Sequence, residues 1–280
     1  MTLAGCFQDV PLDPSGATKG STSEETAGST GDSETEGALE PPTAFRITSL
    51  EIVDPHLYFM LDGMTCGDTT ALVNAVGLPE NLKNNALNLV LLVDPLDLEV
   101  AAPTLRFSEA TCNPSLDTCA DVTGTPIAKT SAENRLEGAC DGVVEGSRSE
   151  GYVEPPLAVS AAPCLISAPT EFEFRIDPDI TRLPLRQMVV TASYEGSEGG
   201  ARLVQGTIRG WMSDAEVASV AGQITIDPFN LWETVAGGGG CQVDPMAPID
   251  DTDVLDLGAA KEDGLWFYLN FTAEEITWLE

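Results

Sequence analysis

Hydrophobic and polar positions alternate along much of the chain after residue 44, and this period of two residues predicts β-strands. The segments with that alternation, or with many β-branched and aromatic residues, are 45–53, 171–176, 188–194, 201–208 and 265–271. A further run, Leu87–Val93, is apolar on both faces. It fits either a central buried strand or the end of a helix, because a short apolar run does not separate the two.

A recurrent Asp-Pro step follows a Val or Ile at the end of many of these segments. It occurs at residues 54–55, 94–95, 177–178, 227–228 and 244–245. Proline has no N–H for a strand ladder and keeps the preceding residue extended, while aspartate can bond the nearby backbone and begin a turn. We therefore predict that each step ends a strand. The spacing is too irregular for a repeat array, and turn chemistry explains each aspartate without a shared metal site.

Few segments carry signals for helices. Ser213 and Glu216 have the spacing of a capping box, in which each side chain bonds the other's backbone N–H, and they predict a helix that runs to about Val220. The other segments with helix signals are 68–76, which is expected to end at Gly77, then 79–85 and 229–236.

Together these elements predict a mainly β fold, sandwich-like or barrel-like, with a few short helices. The folded body spans residues 44–280, a length that can bury a sizeable core. The turn-rich segment 138–163 could divide this body into two lobes, although no linker-like composition forces the division.

Residues 7–43 differ in composition from the rest of the chain. They are rich in Ser, Thr, Gly and acidic residues, and Lys19 is their one basic residue. Such a segment cannot bury enough apolar surface to fold, so we predict a disordered acidic tether. A flexible coil of this length has a root-mean-square span of roughly 35 Å. Pro41-Pro42 marks its boundary with the folded body.

The residues before this tether, Leu3-Ala4-Gly5-Cys6, resemble the lipobox of bacterial lipoproteins. In that family a signal peptidase cleaves before the cysteine, whose sulfur carries a diacylglycerol, and an acidic tether often follows. The resemblance implies that Cys6 is the lipidation site and that its lipid attaches the chain to a membrane. Phe7, where retained lipoproteins have Asp, favours the outer membrane or cell surface. Only five residues precede Cys6, so we expect residues 1–6 to be the end of a truncated leader that begins upstream.

The other cysteines agree with an oxidising compartment. They are Cys66, Cys112, Cys119, Cys140, Cys164 and Cys241. An even number in an exported chain predicts three disulfides, and six cysteines allow about 15 pairings that the sequence does not distinguish. The one local prediction is Cys112–Cys119, because the loop between them is rich in turn-forming residues. A structural zinc site has little support, since the chain has no Cys-x-x-Cys pair and one histidine.

Charge excludes several classes of function. Acidic residues number 45 and basic residues 13, for a formal net charge of −32. A chain this acidic repels phosphate backbones, so nucleic acid is not an expected partner. The sequence also has no apolar stretch that approaches the ~18 residues expected of a membrane-spanning helix.

Candidate catalytic residues are few. A serine or cysteine hydrolase needs a base beside its nucleophile, but the one imidazole, His56, follows a predicted strand end and is interpreted as a turn or packing residue. Core packing is also the favoured interpretation of the tryptophans, which could otherwise stack on sugar rings; they are Trp211, Trp232, Trp266 and Trp278. Asn270-Phe271-Thr272 has the form of a glycosylation sequon and is given no functional weight.

Calcium is the one cofactor for which the sequence offers candidates. Segment 244–256 is the densest acidic stretch, and its weak candidate ligands are Asp250, Asp251, Asp253 and Asp256. Their spacing does not fit an EF-hand loop, and a solvated acidic loop is the favoured interpretation.

The leading hypothesis is an extracytoplasmic, lipid-anchored binding or surface-interaction module of the cell envelope, with a protein or glycan ligand and no evident catalytic site. One alternative is a carboxylate-based polysaccharide hydrolase, which requires a cleft with two facing carboxylates and an exposed tryptophan. The other is a purely structural envelope lipoprotein, which requires no pocket.

Overall fold

The computed structural model describes residues 42–61, 65–148, 152, 154–176, 182–197, 200–224, 227–235, 252–256, 258 and 260–279, which belong to one compact unit, Glu40–Glu280. The strands are β1 (Thr43–Asp54), β2 (Tyr58–Leu61), β3 (Thr65–Asp68), β4 (Leu89–Asp94), β5 (Thr104–Cys112), β6 (Thr118–Asp121), β7 (Ile127–Arg135), β8 (Ala139–Cys140), β9 (Ser160–Ala161), β10 (Cys164–Ser167), β11 (Thr170–Phe174), β12 (Leu183–Ser197), β13 (Gly200–Ser213), β14 (Ala221–Ile224), β15 (Asp227–Asn230), β16 (Thr252–Asp256) and β17 (Lys261–Leu279). The helices are α1 (Thr70–Leu72), a π-helical turn (Val73–Gly77), α2 (Leu78–Lys83), α3 (Asp214–Ser219) and a 3₁₀ turn (Leu231–Glu233). The predicted mainly β class is confirmed.

Eight antiparallel strands form a closed ring. The order around it is β1, β4, β5, β7, β10, β12, β13 and β17, and β17 pairs with β1 again. Strands β6, β11 and β16 attach to members of this ring and complete an 11-stranded sheet. The ring strands come from both sides of segment 138–163. Closure gives each of them a neighbour on both sides, which is how a barrel-like sheet avoids long free edges.

Strand β4 shows how the ring separates an inside from an outside. Leu89, Leu91 and Val93 point into the largest core cluster, whereas Val90 and Leu92 belong to a second cluster on the outer face. This explains why Leu87–Val93 is apolar on both faces: most of it is a strand with a buried environment on each side. The alternative interpretation, that Leu87–Val93 is the end of a helix, is therefore wrong.

Apolar side chains fill the interior of the ring. The ring of Phe107 packs edge to face against Phe172 and Phe174, with centroid distances of 4.7 and 5.7 Å. A cavity beside Phe107 leaves no room for a water molecule. The inside of the ring is therefore a packed core and offers no lumen in the described part of the chain.

Two smaller apolar clusters lie on the outer face. The first consists of Val53, Trp211, Trp266 and Tyr268, with Val144, Leu157 and Leu255 packed against it. The second consists of Ala44, Val90, Leu92, Ala110, Cys112 and Cys119, with Leu116, Ile276 and Trp278 packed against it. We call the described residues of 141–158, which are 141–148, 152 and 154–158, the cover segment, because Val144 and Leu157 from it pack over the first of these clusters.

Two disulfides join described residues. Cys112–Cys119, the pair predicted from its turn-rich loop, links directly paired residues of β5 and β6 whose Cα atoms are 4.0 Å apart. Cys140–Cys164 links β8 to β10 across a sequence separation of 24 residues, and the loop that it closes contains the cover segment. Cys66 is also disulfide-bonded. The remaining cysteines, Cys6 and Cys241, lie outside the described residues.

A continuous helical segment, from α1 through α2, lies beside β1. The predicted helix end at Gly77 is wrong, because Gly77 keeps helical dihedral angles and leads directly into α2. Pro79 falls in the first turn of α2, where its missing N–H is not needed. The side-chain amide of Asn74 accepts the N–H of Ile52 and donates to its carbonyl, each at 2.8 Å. That amide thus pairs with β1 as a neighbouring strand would.

The Asp-Pro steps end strands at some positions and not at others. Asp54 and Asp94 are the last residues of β1 and β4, as predicted. Residues 227–228 instead open β15, a position at which proline is tolerated because the first residues of a strand need not donate to the ladder. Steps 177–178 and 244–245 lie outside the described residues.

The predicted capping box at Ser213 and Glu216 is confirmed. The helix predicted over 229–236 is shorter than expected. Ser213 Oγ accepts the Glu216 N–H, and Glu216 accepts the Ser213 N–H at 2.8 Å, at the start of α3. In the segment 229–236 only the 3₁₀ turn is helical among the described residues, because Asn230 still belongs to β15.

Candidate functional site

The structure describes two of the calcium candidates and does not describe the lipidation candidate. Cys6, Asp250 and Asp251 lie outside the described residues. Asp253 and Asp256 are three positions apart on β16, so strand alternation points them to opposite faces. Each accepts a backbone N–H one or two residues further along the chain. Within the described part of the chain, no group of three or more His, Cys, Asp or Glu side chains is placed to hold a metal ion.

The tryptophans lie in or against apolar clusters. Trp211 and Trp266 are buried and meet edge to face with a centroid distance of 5.4 Å. The guanidinium of Arg209 lies 5.1 Å from the centroid of the Trp266 ring, a cation–π contact. Trp232 and Trp278 are partly buried against the interior and the second outer cluster.

Asn270 of the sequon has a structural contact. Its Oδ1 accepts the N–H of Ala158 at 2.8 Å, and its Nδ2 donates to the carbonyl of Pro156 at 2.9 Å. Both ends of the carboxamide therefore hold the cover segment against β17.

His56 is buried just after β1, with 7 % of its side chain exposed. Its ring stacks on Tyr152 with a centroid distance of 3.6 Å, and Nδ1 lies 2.6 Å from Oδ2 of Asp68. Nε2 is buried and has no hydrogen-bond partner within the described residues. A nucleophile paired with this base would form a hydrogen bond at Nε2, so the described geometry supports the interpretation of His56 as a packing residue.

Asp68 fixes the orientation of this imidazole. Burial acts to raise the pKa of the Asp68 carboxyl, but hydrogen bonds from His56 and from the N–H of Thr70, at 2.9 Å, outweigh it. The pKa therefore lies below its ordinary value, and Asp68 is ionised at neutral pH. An ionised Asp68 accepts a hydrogen bond from Nδ1–H, and in a neutral ring with that tautomer Nε2 carries no proton.

A polar pocket opens where β5 passes the turn that follows α2, and we call it the β5 pocket. Its volume is about 250 Å³. Its lining residues are Asn85, Ala86, Leu87, Asn88, Glu109, Ala110, Thr111, Val122 and Arg175. The apolar members give it a hydrocarbon wall, and the polar members give it donors and acceptors.

A hydrogen-bond network built on Arg46 supports one side of the β5 pocket. Asn88 is buried and its Oδ1 accepts from Nε of Arg46 at 2.9 Å, while its Nδ2 donates to Oδ1 of Asn85 at 2.6 Å. Arg46 also donates to the carbonyl of Leu82 at the end of α2. Burial lowers the pKa of Arg46, and Glu274 partly opposes that effect. A buried cation thus lies behind the amide of Asn88.

The opposite side of the pocket is built on Glu109 of β5. Its carboxylate accepts from Nε and Nη2 of Arg182 at 3.2 and 2.7 Å, and from the backbone N–H of Arg175 at 3.1 Å. The hydrogen bonds with Glu109 raise the pKa of Arg182. The guanidinium of Arg175 itself, which is exposed, has no ion pair or hydrogen bond with any described residue.

Sequence reasoning missed the β5 pocket because its residues belong to no motif and come from distant segments. Glu109 and Arg175 are brought together only by the folding of β5 and the segment after β11. One signal was visible: Arg46 interrupts an apolar strand in a very acidic chain, and a cation at such a position needs buried acceptors. Asn85, at φ 61°, forms the tight turn that brings those acceptors into place.

The β5 pocket does not have the arrangement that the hydrolase alternative requires. Among its lining residues Glu109 is the one carboxylate, and Arg182 neutralises it. None of the four tryptophans lines it.

No helix in the described part of the chain is both long and apolar enough to cross a membrane.

Comparisons with known proteins add no relative. No family model matches the chain, and no curated protein or solved structure is significantly similar to it. The functional argument therefore depends on the fold, the disulfides and the β5 pocket.

Proposed function

We propose that this protein is a lipid-anchored binding module of the cell envelope and that the β5 pocket is its ligand site. The observation that carries the proposal is the state of Arg175: this residue lines a cavity of about 250 Å³, and no described residue engages its guanidinium. Binding sites for small molecules combine an apolar wall with a few polar groups that fix orientation. The β5 pocket has both.

The filled ring supports a binding role on the outer surface. Its interior is occupied by side chains, so a ligand that binds the described part of the chain must do so outside the ring. A rigid scaffold also keeps the groups around a site in place. Glu109 and Arg46, which support the two sides of the pocket, both belong to ring strands.

The disulfides support an extracytoplasmic location. Structural cystines persist in oxidising compartments and are rare in the cytosol. Cys112–Cys119 and Cys140–Cys164 brace β6 and β8 against the ring. The lipobox-like residues before Cys6 and the acidic composition of 7–43 also support this location, because they resemble the corresponding segments of tethered lipoproteins.

The anchor is tested by expressing the chain in a Gram-negative host behind its own upstream coding sequence. We expect membrane-extracted protein to begin at Cys6 and to carry the mass of a diacylglycerol on that residue. The variant Cys6→Ser should appear unacylated and lose membrane association. An unmodified wild-type chain that begins at Met1 would contradict the anchor.

The ligand site is tested by a thermal-shift screen of neutral, anionic and cationic small molecules against the full chain. Ala86→Trp serves as the blocking variant, because residue 86 is exposed and lines the β5 pocket. We expect at least one ligand to raise the melting temperature of the wild type and not of Ala86→Trp. Release of reducing ends from a polysaccharide would instead favour the hydrolase alternative.

A further inference from the structure

The polar groups of the β5 pocket are unequally available to a ligand. Asn85 and Asn88 bond each other, and Asn88 also bonds Arg46. Glu109 already accepts three hydrogen bonds, two from Arg182 and one from a backbone N–H. The guanidinium of Arg175 and the hydroxyl of Thr111 are the lining side-chain groups that have no hydrogen bond within the described part of the chain.

Charges of both signs surround the pocket, and one of its cations is unpaired. Arg182 binds Glu109 and interacts electrostatically with Glu173, and Arg46, behind Asn88, interacts electrostatically with Glu274. Arg175 lines the pocket, and its guanidinium has no ion pair with any described residue. Acidic groups more than about 8–10 Å away are screened at physiological salt, so the unpaired Arg175 favours an anionic ligand.

Resting on the function proposed above, we propose that the β5 pocket binds a small molecule bearing a carboxylate, of about the size of one monosaccharide. Arg175 presents a planar fork of donors that matches the two oxygens of a carboxylate. Thr111 is placed to bond a hydroxyl of the same ligand. Leu87, Ala110 and Val122 contact its carbon skeleton.

A carboxylate fits this pocket better than a phosphate. A phosphate monoester carries between one and two negative charges and three acceptor oxygens, which proteins usually meet with several donors. Among its lining side chains, the β5 pocket offers one guanidinium and one hydroxyl that bond no described residue. The singly charged, two-oxygen group therefore matches the available donors.

The experiment is a calorimetric and NMR titration of the full chain with a panel of probes. The carboxylate probes are D-glucuronate, D-galacturonate and N-acetylneuraminate; methyl D-glucoside is the neutral probe and inorganic phosphate the inorganic anion. We expect one of the carboxylates to bind with a millimolar or lower Kd. Its affinity should fall about tenfold between 50 and 500 mM salt, because the contact is electrostatic.

Variants assign the contact to Arg175. Arg175→Gln should weaken carboxylate binding by about tenfold or more, and it should fold normally because the side chain has no partner among the described residues and the backbone N–H to Glu109 is retained. Arg135→Gln is the matched control, since Arg135 is a half-exposed arginine of β7 that pairs with Glu133 and does not line the pocket. Thr111→Val should weaken binding by a smaller factor than Arg175→Gln.

The possible outcomes separate this inference from the function on which it rests. Equal binding of methyl D-glucoside, or tighter binding of phosphate, overturns the carboxylate class. So does the absence of binding by every carboxylate probe. In each of these cases, ligands that are lost in Ala86→Trp would still support the β5 pocket as the ligand site, whereas their absence would remove the proposed function as well.

Discussion

The interior of the ring and the cover segment both bury apolar side chains, but they are held by different forces. Inside, Phe107 and its neighbours pack hydrocarbon against hydrocarbon along strands that alternate regularly. On the outer face, Val144 and Leu157 pack against the cluster that contains Trp211 and Tyr268, yet residues 141–148 and 154–158 of the cover segment contain no strand or helix of their own. Hydrogen bonds from side chains of the ring strands hold the cover segment in place.

Those polar contacts come from a few ring side chains. Tyr268 accepts the N–H of Val144 at 3.1 Å and is hydrogen-bonded to Ser147. Thr207 donates to the carbonyl of Ala158 at 2.9 Å, and the Asn270 amide holds the same stretch. Interior packing is shared among many contacts, whereas the cover depends on a small number of bonds and one cystine. The cover should therefore open at a lower free energy than the ring unfolds.

The largest effect is expected from a cavity in the interior. Phe107→Ala should lower the free energy of unfolding by about 3–5 kcal/mol, because the ring of Phe107 is fully buried against two other aromatic rings. Urea unfolding followed by circular dichroism measures it. Ile127→Ala is the control, since that side chain is 46 % exposed, and it should change stability by less than about 0.5 kcal/mol. Similar losses in both variants would contradict a packed interior.

The next largest effect concerns the cystine that closes the cover. Replacing both Cys140 and Cys164 by Ala should cost about 3.5 kcal/mol, because the disulfide closes a loop with a sequence separation of 24. Removing Cys112–Cys119, with a separation of 7, should cost about 2.5 kcal/mol by the same relation. Denaturant unfolding of the two double variants gives the ranking. A larger loss on removing Cys112–Cys119 would show that loop-closure entropy does not dominate the stabilisation by these two disulfides.

The same contrast separates what could be predicted from the sequence from what could not. Alternation at 45–53 and 265–271 predicted β1 and β17, because a strand with one buried face must repeat every two residues. The closure of the ring was not predictable, since pairing of β1 with β17 joins distant segments and leaves no local trace. The cover segment was interpreted only as turn-rich, because its position depends on side chains of other strands.

The β5 pocket was hidden for a related reason. Its two sides depend on Arg46 and Glu109, which are single charged residues inside strands, and on partners that are distant in sequence. A charged residue in a strand predicts a need for partners without naming them. The β-strands, the capping box and one disulfide follow from local rules, whereas the pocket follows from the tertiary arrangement.

A smaller and more local effect is expected from the amide that holds the cover. Asn270→Ala removes two hydrogen bonds, to Ala158 and Pro156, and should cost about 1–2 kcal/mol, because the freed backbone groups can be partly hydrated. Hydrogen exchange should accelerate at the amides of Leu157 and Ala158 and remain slow in β4. Asn84→Ala is the control, since that exposed amide makes one long bond of 3.5 Å. Uniform acceleration across the ring would contradict a separately held cover.

The smallest effect tests the middle of the cover segment, where Tyr152 stacks on His56 and Asp68 holds the imidazole. The folded-state pKa of Asp68 is lowered, so its ionised form adds stability above the unfolded pKa, near 3.9, and that stability is lost as pH falls through the folded pKa. At pH 7, Asp68→Asn should cost about 1 kcal/mol, a modest value because the carboxylate is 36 % exposed and solvent weakens its bonds.

Urea unfolding between pH 7 and pH 2.5 distinguishes this charge effect from a change of shape. The variant retains an oxygen that can accept the Thr70 N–H, so the difference that remains is the charge facing His56. We expect the wild type and Asp68→Asn to differ at pH 7 and to converge as the wild-type carboxylate protonates below about pH 4. Glu51→Gln, at an exposed position of β1, should follow the wild type throughout. A difference in stability that stays constant down to pH 2.5 would mean that the charge of Asp68 does not stabilise the contact between His56 and Tyr152.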